Sequence, residues 1–485
     1  MNGKRYSVAS NHPLSTRAGL EILEKGGNAY DALLAVSSVL TVVQPHLNGL
    51  GGDFFAVVDD HGLKAINGSG FSSALASIEL FKGRGFSEIP KFGPLSSLTV
   101  PGLVSSWELI SVRATMKLPD LFRRAITYAT GGFRVQRSLS EAVKRYSFGD
   151  EDWKRAYGDI RENSQLVQKD LGRTLETVSS DSGHSFYHGE IARAIEDDMI
   201  AKGGLIRFDD LDSYSAAWEE PLSTAYRNYR VYTTPPNSQG ATILFWMNML
   251  NRFKFDAIDR EYFSKLLQTM QIAYDYRARY IGDPSTVKIP PTILSPDYEY
   301  SPLLRPERVE KSFSDTTAFS VYDGEIGISA IQSNYMGFGS GQTIRGTGIN
   351  MNNRGSYFTL DAGHHNCLAP RKKTFHTLMA TVCKGPNSIY VSSMGGDVQP
   401  QINMQILSRI IDFGITPQDA VNAPRFCYPS SIYSDSILYE ENGLDIEGAR
   451  KVGDRSSLMG HAQAIVAGEK VEEAFDPRGD SYEIY

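Results

Sequence analysis

The sequence predicts a layered fold in which helices pack on β-sheet, and three observations support this prediction. Residues 13–25 and 29–43 carry apolar side chains at the spacing of an α-helix. Residues 54–58 follow as a short apolar run that is typical of a buried strand. From Thr316 onward the chain is rich in short β-forming runs, so the last third is expected to be mainly sheet.

The two helices near the start have clear boundaries in the sequence. The first ends at Gly26-Gly27, a pair that favours a helix C-terminus, and Asn28 is well suited to cap the second. The second helix is apolar on most faces, which indicates that it is buried, and Pro45 ends it. A glycine-rich turn at 48–52 then leads into the strand.

The middle of the chain is predicted to be mainly helical, with one strand and one irregular connection. Amphipathic stretches indicate helices at 103–112, 119–130, 190–202 and 259–280. A strand is expected at 229–233. The six prolines between 284 and 306 exclude a regular element there and indicate an irregular connection.

The last third is predicted to combine a hairpin, two further strands and one helix. Residues 318–322 and 326–331 flank a turn at 323–325 and are typical of a hairpin. The further elements are expected at 374–383 and 388–393 for the strands and at 398–412 for the helix.

The composition is that of an ordinary globular protein, with 41% hydrophobic and 22% charged residues in a chain of 485. No apolar run approaches the ~18 residues of a membrane span, and the first residues lack the apolar core of a signal peptide. A cytoplasmic protein without a membrane partner is therefore expected. The net charge of −7 argues against a nucleic-acid partner, which would require a basic surface.

Cysteine usage and motif content exclude several further classes of protein. Cys367, Cys383 and Cys427 are odd in number and widely spaced, so a disulfide framework is not expected. The sequence contains neither a cysteine and histidine spacing typical of zinc nor a phosphate-binding or dinucleotide-binding loop. No metal and no cofactor are expected.

One candidate for chemistry is the junction of Asp315 and Thr316, where the β-rich part begins directly after the proline-rich connection. If this bond is cut, Thr316 gains a free α-amino group beside its own hydroxyl. An α-amine with a pKa of about 7.7–8.0 can take the hydroxyl proton, so one residue supplies both nucleophile and base. The same hydroxyl can make the cut by attacking the carbonyl of Asp315. Spacing alone favours the simpler interpretation, a threonine that stabilises a strand.

A second candidate is Gly395-Gly396, at the end of a predicted strand and the start of a predicted helix. Two successive amide N–H groups at a helix N-terminus can stabilise the oxyanion of an acyl-transfer reaction. A turn that needs glycine for its geometry explains the pair equally well, so both interpretations stay open.

A series of motifs spans nearly the whole chain. It runs through Val8-Ala9-Ser10-Asn11-His12-Pro13-Leu14, Gly26-Gly27-Asn28-Ala29, Val43-Gln44-Pro45-His46, Gly49-Leu50-Gly51-Gly52, Pro235-Pro236-Asn237-Ser238-Gln239-Gly240, Thr316-Thr317, Gly395-Gly396 and Asn422-Ala423-Pro424-Arg425-Phe426. In this order the motifs resemble the γ-glutamyltranspeptidase (glutathione hydrolase) family of N-terminal-nucleophile hydrolases. So many matches in the family's order make chance similarity very improbable.

The resemblance implies an α+β fold, a four-layer αββα sandwich. It implies a precursor that cuts itself between Asp315 and Thr316 into a large subunit, 1–315, and a small subunit, 316–485. The partners implied are a small-molecule amide substrate and the two subunits of one precursor, with a homodimer of these as one possible assembly.

The resemblance also implies roles for individual residues. Thr316 is the nucleophile, and the amides of Gly395 and Gly396 hold the oxyanion. Thr317 supports the nucleophile, and Asn334 helps to hold the α-carboxylate of the substrate.

Several positions depart from the family pattern of γ-glutamyl recognition. The family arginine that binds the α-carboxylate would fall within residues 67–73, which contain none. The family acid that binds the α-amino group falls near Tyr357, and the family serine pair appears as His376-Thr377. A threonine that supports the nucleophile is replaced by Gln332. These changes predict weak recognition of a γ-glutamyl group, because an arginine and a carboxylate would each contribute charge-assisted hydrogen bonds.

The part of the chain that follows Thr316 resembles more closely the branch of the family that contains oxamate amidohydrolase. The similarity lies in Gln332-Ser333-Asn334-Tyr335, Phe338-Gly339-Ser340-Gly341, Asn353-Arg354-Gly355, Phe375-His376-Thr377-Leu378 and Ser393-Met394-Gly395-Gly396-Asp397-Val398-Gln399-Pro400-Gln401. Arg354 is then a candidate cation for a substrate carboxylate. A buried structural ion pair is the alternative interpretation of this arginine.

Three functional hypotheses follow, in order of preference. The first is an autoprocessing threonine amidohydrolase that hydrolyses an amide of a small carboxylate-bearing substrate through an acyl-enzyme. The second is a true γ-glutamyl hydrolase or transpeptidase that acts on glutathione. The third is a non-catalytic binding protein on the same fold, because a fold does not guarantee an activity.

Overall fold

Two six-stranded antiparallel β-sheets packed face to face, with helices on both outer sides, form the framework of the molecule. The computed structural model describes residues 6–303, 315–428 and 437–480. The strands are β1 (Ser7–Ser10), β2 (Asp53–Asp59), β3 (Leu63–Gly68), β4 (Phe133–Arg134), β5 (Gln165–Leu166), β6 (Ala217–Glu219), β7 (Leu222–Tyr226), β8 (Tyr229–Thr233), β9 (Asp315–Tyr322), β10 (Gly327–Tyr335), β11 (Thr343–Ile344), β12 (Ile349–Asn350), β13 (Ala380–Lys384), β14 (Ser388–Met394), β15 (Phe426–Cys427), β16 (Tyr439–Glu440), β17 (Arg450–Lys451), β18 (His461–Ala467) and β19 (Val471–Phe475).

The first large sheet has the order β1-β9-β10-β2-β3-β6, and the second has the order β19-β18-β14-β13-β8-β7. The helices are α1 (Pro13–Glu24), α2 (Ala29–Val43), α3 (Ile78–Gly83), α4 (Leu103–Ser111), α5 (Leu118–Gly131), α6 (Arg137–Arg145), α7 (Glu151–Tyr157), α8 (Lys169–Ser180), α9 (His184–His188), α10 (Glu190–Lys202), α11 (Phe208–Asp212), α12 (Ala241–Leu250), α13 (Arg260–Tyr280), α14 (Gln399–Phe413) and α15 (Pro417–Asn422).

Three buried apolar layers hold these elements together. The first lies between the first sheet and helices that include α1, α2, α4 and α5. The second lies between the two sheets, and the third lies between the second sheet and α12, α13 and α14. Members of the three layers include Leu40 and Phe54, Val57 and Val382, and Trp246 and Val391, respectively. The four-layer αββα sandwich expected from the family resemblance is thus confirmed.

The predicted helices are confirmed to within one residue at each end, since their periodicity and boundary residues were clear. The predicted hairpin is confirmed as β9 and β10, although both strands are longer than their apolar runs suggested. The predicted strand at 374–383 was wrong in its first part, because only Ala380–Lys384 pairs as a strand. The backbone of 374–379 bonds instead to loops and side chains, as in the 2.9 Å bond from the His376 amide to the Asn237 carbonyl.

The proline-rich connection is irregular where the structure describes it, up to residue 303, apart from the short 3-10 helix Pro291–Leu294. Residues 304–306, the end of the predicted connection, lie outside the described residues. Within the described ranges, no helix has the length and apolar character needed to cross a bilayer.

Candidate active site

The peptide that joins Asp315 to Thr316 lies at the start of β9, next to β10. The Thr316 side chain is fully buried, and its Oγ1 donates a hydrogen bond of 3.1 Å to Oγ of Ser333. The Ser333 hydroxyl in turn donates to the carbonyl oxygen of Asp315 at 2.8 Å. The predicted nucleophile and the predicted scissile carbonyl are therefore both bound to one side chain.

A β-bulge in β10 faces this junction. Gln332 pairs with Thr317 and Tyr335 pairs with Asp315, so two residues of β10 stand opposite the single residue Thr316. The φ of Tyr335 is 82°, in a region that bulky side chains rarely occupy. Bulges re-aim side chains locally. Here the change in side-chain direction occurs next to Thr316, the predicted nucleophile.

The alternation of side chains along β10 determines which residue contacts Thr316. Gln332, the predicted supporting residue, directs its side chain into the helical layer, where Nε2 donates to Oδ1 of Asn48 at 2.6 Å. Its Oε1 accepts a hydrogen bond from the Ser37 hydroxyl. Gln332 thus has no hydrogen bond to Thr316 among the described contacts, and its supporting role stays a prediction. Ser333, the next residue, points to the opposite face of β10 by ordinary alternation and contacts Thr316.

Thr317, the other predicted supporting residue, bonds to the end of α2. Its Oγ1 donates to Oε1 of Gln44 at 2.9 Å, and Nε2 of Gln44 donates to the Asn11 carbonyl at 3.3 Å. Thr317 thus anchors the strand that carries Thr316 and has no hydrogen bond to Thr316 itself among the described contacts.

The Asp315 carboxyl lies in an environment that disfavours its charge. The hydroxyl of Tyr146 donates to Oδ2 of Asp315 at 3.2 Å. Burial raises the pKa of Asp315 to about 6, and the nearby positive charge of Arg145 offsets only part of this effect. The carboxyl therefore changes its charge within a pH range in which the protein can be assayed.

The raised pKa makes the stability of the uncut chain depend on pH. The ordinary pKa of an aspartate is 3.8, so the folded chain binds the proton of Asp315 more tightly than the unfolded chain does. The carboxyl then destabilises the fold as pH rises from about 4 through 6, and fully above that range. In a Thr316→Ala background, Asp315→Asn is expected to raise Tm by about 1–2 °C at pH 8 and by much less at pH 4. Thermal unfolding of both variants measures this, and equal shifts at the two pH values would contradict it.

Asn334 lies against the glycine-rich turn that precedes β2. A methyl group on Gly52 would lie 2.4 Å from Oδ1 of Asn334, so only glycine allows this close approach. Nδ2 donates a long bond of 3.4 Å to the Asn350 carbonyl, and Oδ1 is buried without a hydrogen-bond partner in the described parts of the chain. Asn334 thus retains hydrogen-bonding capacity, although its contact with a substrate stays a prediction.

Gly395 and Gly396 form the turn between β14 and α14. Their φ angles of 141° and 57° lie in the region that favours glycine, and a methyl group on Gly395 would lie 2.7 Å from Cγ2 of Val398. The turn borders a cavity of about 840 Å³ that is lined by both Gly395 and Asp315. The predicted oxyanion turn and the predicted cleavage site therefore share one cavity.

Asp397, the residue after the glycine pair, fixes this turn from two sides. Nη1 of Arg277 donates to one carboxylate oxygen at 2.7 Å, and the hydroxyl of Tyr357 donates to the other at 2.7 Å. Nε2 of Gln239 also donates to the carbonyl of Gly396 at 2.8 Å. No sequence pattern predicted the role of Arg277, which comes from a helix far away in the sequence.

Tyr357 is at the site but does not replace the family acid. Burial raises its pKa well above the ordinary value, so the hydroxyl is neutral and carries no charge for an amine. Its ring lies 5.3 Å from that of Tyr335 and 5.2 Å from that of Phe375. All three residues line a second cavity of about 310 Å³. Tyr357 therefore shapes an aromatic pocket beside the glycine turn.

Arg354, His376 and Thr377 meet in a buried polar cluster around Asp53. Nε of Arg354 lies 3.7 Å from Oδ2 of Asp53, and Nε2 of His376 lies 2.9 Å from the same oxygen. Nη1 of Arg354 donates to Oγ1 of Thr377 at 3.0 Å. Burial raises the pKa of Asp53 to about 7 and lowers the pKa of His376 well below its ordinary value, so His376 is neutral.

This cluster contains the ion pair that was the alternative interpretation of Arg354. Nη2 of Arg354, however, is buried and has no hydrogen-bond partner among the described residues. The guanidinium carbon also lies 4.3 Å from the ring centre of Tyr335, which neighbours the bulge. Nε is likewise without a hydrogen bond there, so Arg354 combines an ion pair with two donor groups that are unused among the described residues.

The four-layer sandwich, the buried Thr316 at the start of a strand and the cavity lined by Asp315 and Gly395 together indicate an N-terminal-nucleophile hydrolase. Comparison with known proteins gives the same class. The family model described as gamma-glutamyltranspeptidase matches residues 15–485. The glutathione hydrolase-like YwrD proenzyme of Bacillus subtilis (strain 168) is 35% identical, over 99% of this chain and 98% of the relative.

Two further relatives extend this comparison. The oxamate amidohydrolase proenzyme of Klebsiella pneumoniae is 32% identical, over 97% of this chain and 96% of the relative. The crystal structure of cephalosporin acylase from Bacillus halodurans superposes with a TM-score of 0.89 at 31% identity, over 99% of this chain and 95% of that one. The chain belongs to the γ-glutamyltranspeptidase family, as its motifs predicted. It is an autoprocessing amidohydrolase of this family.

Proposed function

We propose that the chain cuts its own Asp315–Thr316 bond and that the freed Thr316 then hydrolyses an amide of a small carboxylate-bearing substrate. The two products of the cut are a large subunit, 1–315, and a small subunit, 316–485. The observation that supports the proposal is that Asp315, the residue before the cut, lines the same cavity as Gly395.

The chemistry of the mature enzyme follows from these groups. The α-amino group of Thr316 takes the proton of Oγ1, which attacks the substrate carbonyl and forms an acyl-enzyme. The amides of Gly395 and Gly396 stabilise the oxyanion, and the amine leaving group takes the proton. Water then attacks the ester and releases the acid, which restores the Thr316 hydroxyl.

Two observations support a carboxylate on the substrate. Arg354 is a buried cation whose Nη2 has no hydrogen-bond partner among the described residues, and Asn334 contributes a further polar group with unused capacity. One relative is named for oxamate, which is itself a small amide with a carboxylate. Asp53 neutralises part of the charge of Arg354, so the remaining attraction suits one carboxylate rather than several.

Glutathione is the second candidate substrate, because one relative is named as glutathione hydrolase-like. The pocket gives less support to it. Tyr357 is neutral where the family has an acid, and residues 67–73 contain no arginine. We rank three further proposals below these two. They are transfer of the acyl group to an amine, location in the cytoplasm and assembly into a homodimer.

The test is a substrate screen on protein whose cleavage has been verified. Intact mass and N-terminal sequencing should give a fragment that begins at Thr316. Ammonia or amine release is then measured with oxamate, succinamate, glutaramate, glutathione and a γ-glutamyl anilide, with the Thr316→Ala protein as the blank. Turnover of a carboxylate-bearing amide above that of the γ-glutamyl compounds is expected. A chain that stays uncut would overturn the proposed self-cleavage. Turnover of γ-glutamyl compounds alone would overturn the proposed substrate class.

A further inference from the structure

We propose that the cavity lined by Asp315 recognises the acyl group of the substrate through Arg145 and Tyr146, and that this group is succinyl-like. Such a group carries a carboxylate two carbons away from the carbonyl that is attacked. The inference deepens the proposed function and rests on it. Its basis is that Asp315, the acyl residue of the bond to be cut, has this shape itself and already lies in the cavity.

Self-cleavage and substrate hydrolysis share one kind of ester. In the first reaction the acyl group of Asp315 is bonded to Oγ1 of Thr316, and in the second the acyl group of the substrate takes that place. An aspartyl group has two carbons, Cα and Cβ, between its carbonyl carbon and its carboxyl carbon, and a succinyl group also has two. A succinyl ester of Thr316 can therefore place its carboxylate where the Asp315 carboxyl lies.

Three groups stabilise the charged form of the Asp315 carboxyl. The hydroxyl of Tyr146 donates to Oδ2 at 3.2 Å. Burial raises the pKa of the carboxyl, whereas the charge of Arg145, the Tyr146 hydroxyl and the backbone amide of Gly337 each lower it. A cation together with hydrogen-bond donors suits a carboxylate on a bound substrate equally well.

The neighbours of Tyr146 hold its ring independently of Asp315. The ring stacks on Phe148 with 5.8 Å between the ring centres, and it lies edge-on to Phe338 at 6.5 Å. A methyl group on Gly337 would lie 2.1 Å from the Tyr146 ring, so only glycine lets the ring lie this close to the backbone. We therefore expect the hydroxyl to keep its position when Asp315 leaves.

Arg145 is a cation of this cavity that a ligand can reach. Its side chain is exposed, lines the cavity and forms no ion pair among the described residues. Arg137, which also lines the cavity, is paired with Glu141 at 2.7 Å. Arg354 is not among the residues that line this cavity, so a contact with Arg145 is distinct from a contact with Arg354.

The reaction with succinamate can be written with all atoms accounted for. Oγ1 of Thr316 bonds to the amide carbon, and its proton passes through the α-amine to the leaving nitrogen. The carbon–nitrogen bond breaks, ammonia leaves, and water hydrolyses the succinyl ester to succinate and restores the hydroxyl. A substrate can occupy the cavity in this way only after Asp315 has withdrawn, and the cut permits this because it separates Asp315 from Thr316.

The first experiment compares amides that differ in chain length, on unmodified protein whose cleavage at Thr316 has been verified. Oxamate, malonamate, succinamate and glutaramate have zero, one, two and three carbons between the amide and the carboxylate. One methylene typically changes kcat/KM about 10–200-fold, so succinamate is expected to exceed each of the others by about tenfold or more. A higher kcat/KM for any of the other three would overturn the inference.

The second experiment uses Arg145→Gln with Lys144→Gln as its matched control. Lys144 is the preceding residue and is also exposed, but it does not line the cavity, and its replacement removes the same charge. Arg145→Gln is expected to raise KM for succinamate about three- to fivefold, the range of an exposed ion pair, with kcat within about twofold of normal. Lys144→Gln is expected to leave both constants near normal. Equal increases of KM in the two variants would overturn the inference.

Tyr146→Phe tests the hydroxyl separately. Loss of a hydrogen bond to a charged group is expected to raise KM for succinamate about tenfold. Butyramide, in which a methyl group replaces the carboxylate, has no group for this hydroxyl, so its kcat/KM is expected to stay within about twofold. All rates are taken per mole of free Thr316 N-terminus, which removes any effect on self-cleavage. Equal losses with succinamate and butyramide would show a structural role and overturn the assignment of Tyr146.

Binding without turnover distinguishes failure of the inference from failure of the proposed function. Succinate, malonate and glutarate are titrated into the cut protein by calorimetry. Succinate is expected to bind most tightly, and Arg145→Gln is expected to weaken it about three- to fivefold. Succinate that binds no better than glutarate would overturn the inference alone. A chain that cuts but hydrolyses no carboxylate-bearing amide would overturn the proposed function, with the titration still deciding the inference, and a chain that never cuts at Thr316 would overturn both.

Discussion

Replacing Thr316 by alanine is expected to leave the chain at its full length and to abolish turnover. The variant lacks the oxygen that makes the internal cut, and an uncut chain has no free α-amine at residue 316. Loss of the nucleophile in a covalent hydrolase lowers kcat on the order of 10⁶-fold. Thr316→Ser retains a hydroxyl and is expected to cleave and to turn over. A denaturing gel and the rate of amide hydrolysis measure both effects.

Thr381→Ala is the control for this experiment. Thr381 is also buried in a central strand, and its hydroxyl has no hydrogen-bond partner among the described residues, so its removal tests packing alone. It is expected to cleave and to turn over normally. Two fragments from Thr316→Ala, divided at the same bond, would show that another group makes the cut.

Replacing Gly395 by alanine is expected to give the second largest loss. The methyl group would enter a backbone region that disfavours side chains and would lie 2.7 Å from Val398 and 3.0 Å from Ile402. The turn must then move, and its amides lose their alignment with the oxyanion. A fall in kcat of about 10²–10³-fold is expected. Self-cleavage is expected to continue, since Ser333 contacts that carbonyl.

Gly414→Ala separates loss of alignment from simple backbone strain. Gly414 ends α14 with a φ of 65°, and no atom lies within 4 Å of an added methyl group. The substitution also places a side chain at positive φ, but away from the cavity, so turnover is expected to stay near normal. Equal losses of kcat in the two variants would exclude a specific role for Gly395.

Much of the fold was predictable from the sequence because its helices combine clear periodicity with clear ends. Asn28, for example, forms the predicted cap of α2 together with Asp31. The helix Ala241–Leu250 was not predicted, since it is buried on every face and its mostly apolar sequence gives little periodic signal. The strands β18 and β19 were not predicted either.

The site was predictable only in part, because its residues belong to different levels of structure. Thr316 and Gly395 lie in motifs that stand out in the sequence. The contact of Ser333 with Thr316 follows only once the register of β9 and β10 is known, because the pairing of Gln332 with Thr317 puts Ser333 on the face of Thr316. Arg277 reaches Asp397 from α13, and no local pattern indicates a contact across that separation.

The strand order of the first sheet has a consequence for the cut molecule. β9, which carries Thr316, and β10, which follows it, lie between β1 and β2, which precede it. In the second sheet β13 likewise pairs with β8. Cleavage of one peptide bond therefore yields two polypeptides that share both sheets. They can separate only if the strand pairing between them is broken in both sheets. We expect the cleaved protein to unfold in a single cooperative transition, in which neither subunit dissociates before the other unfolds.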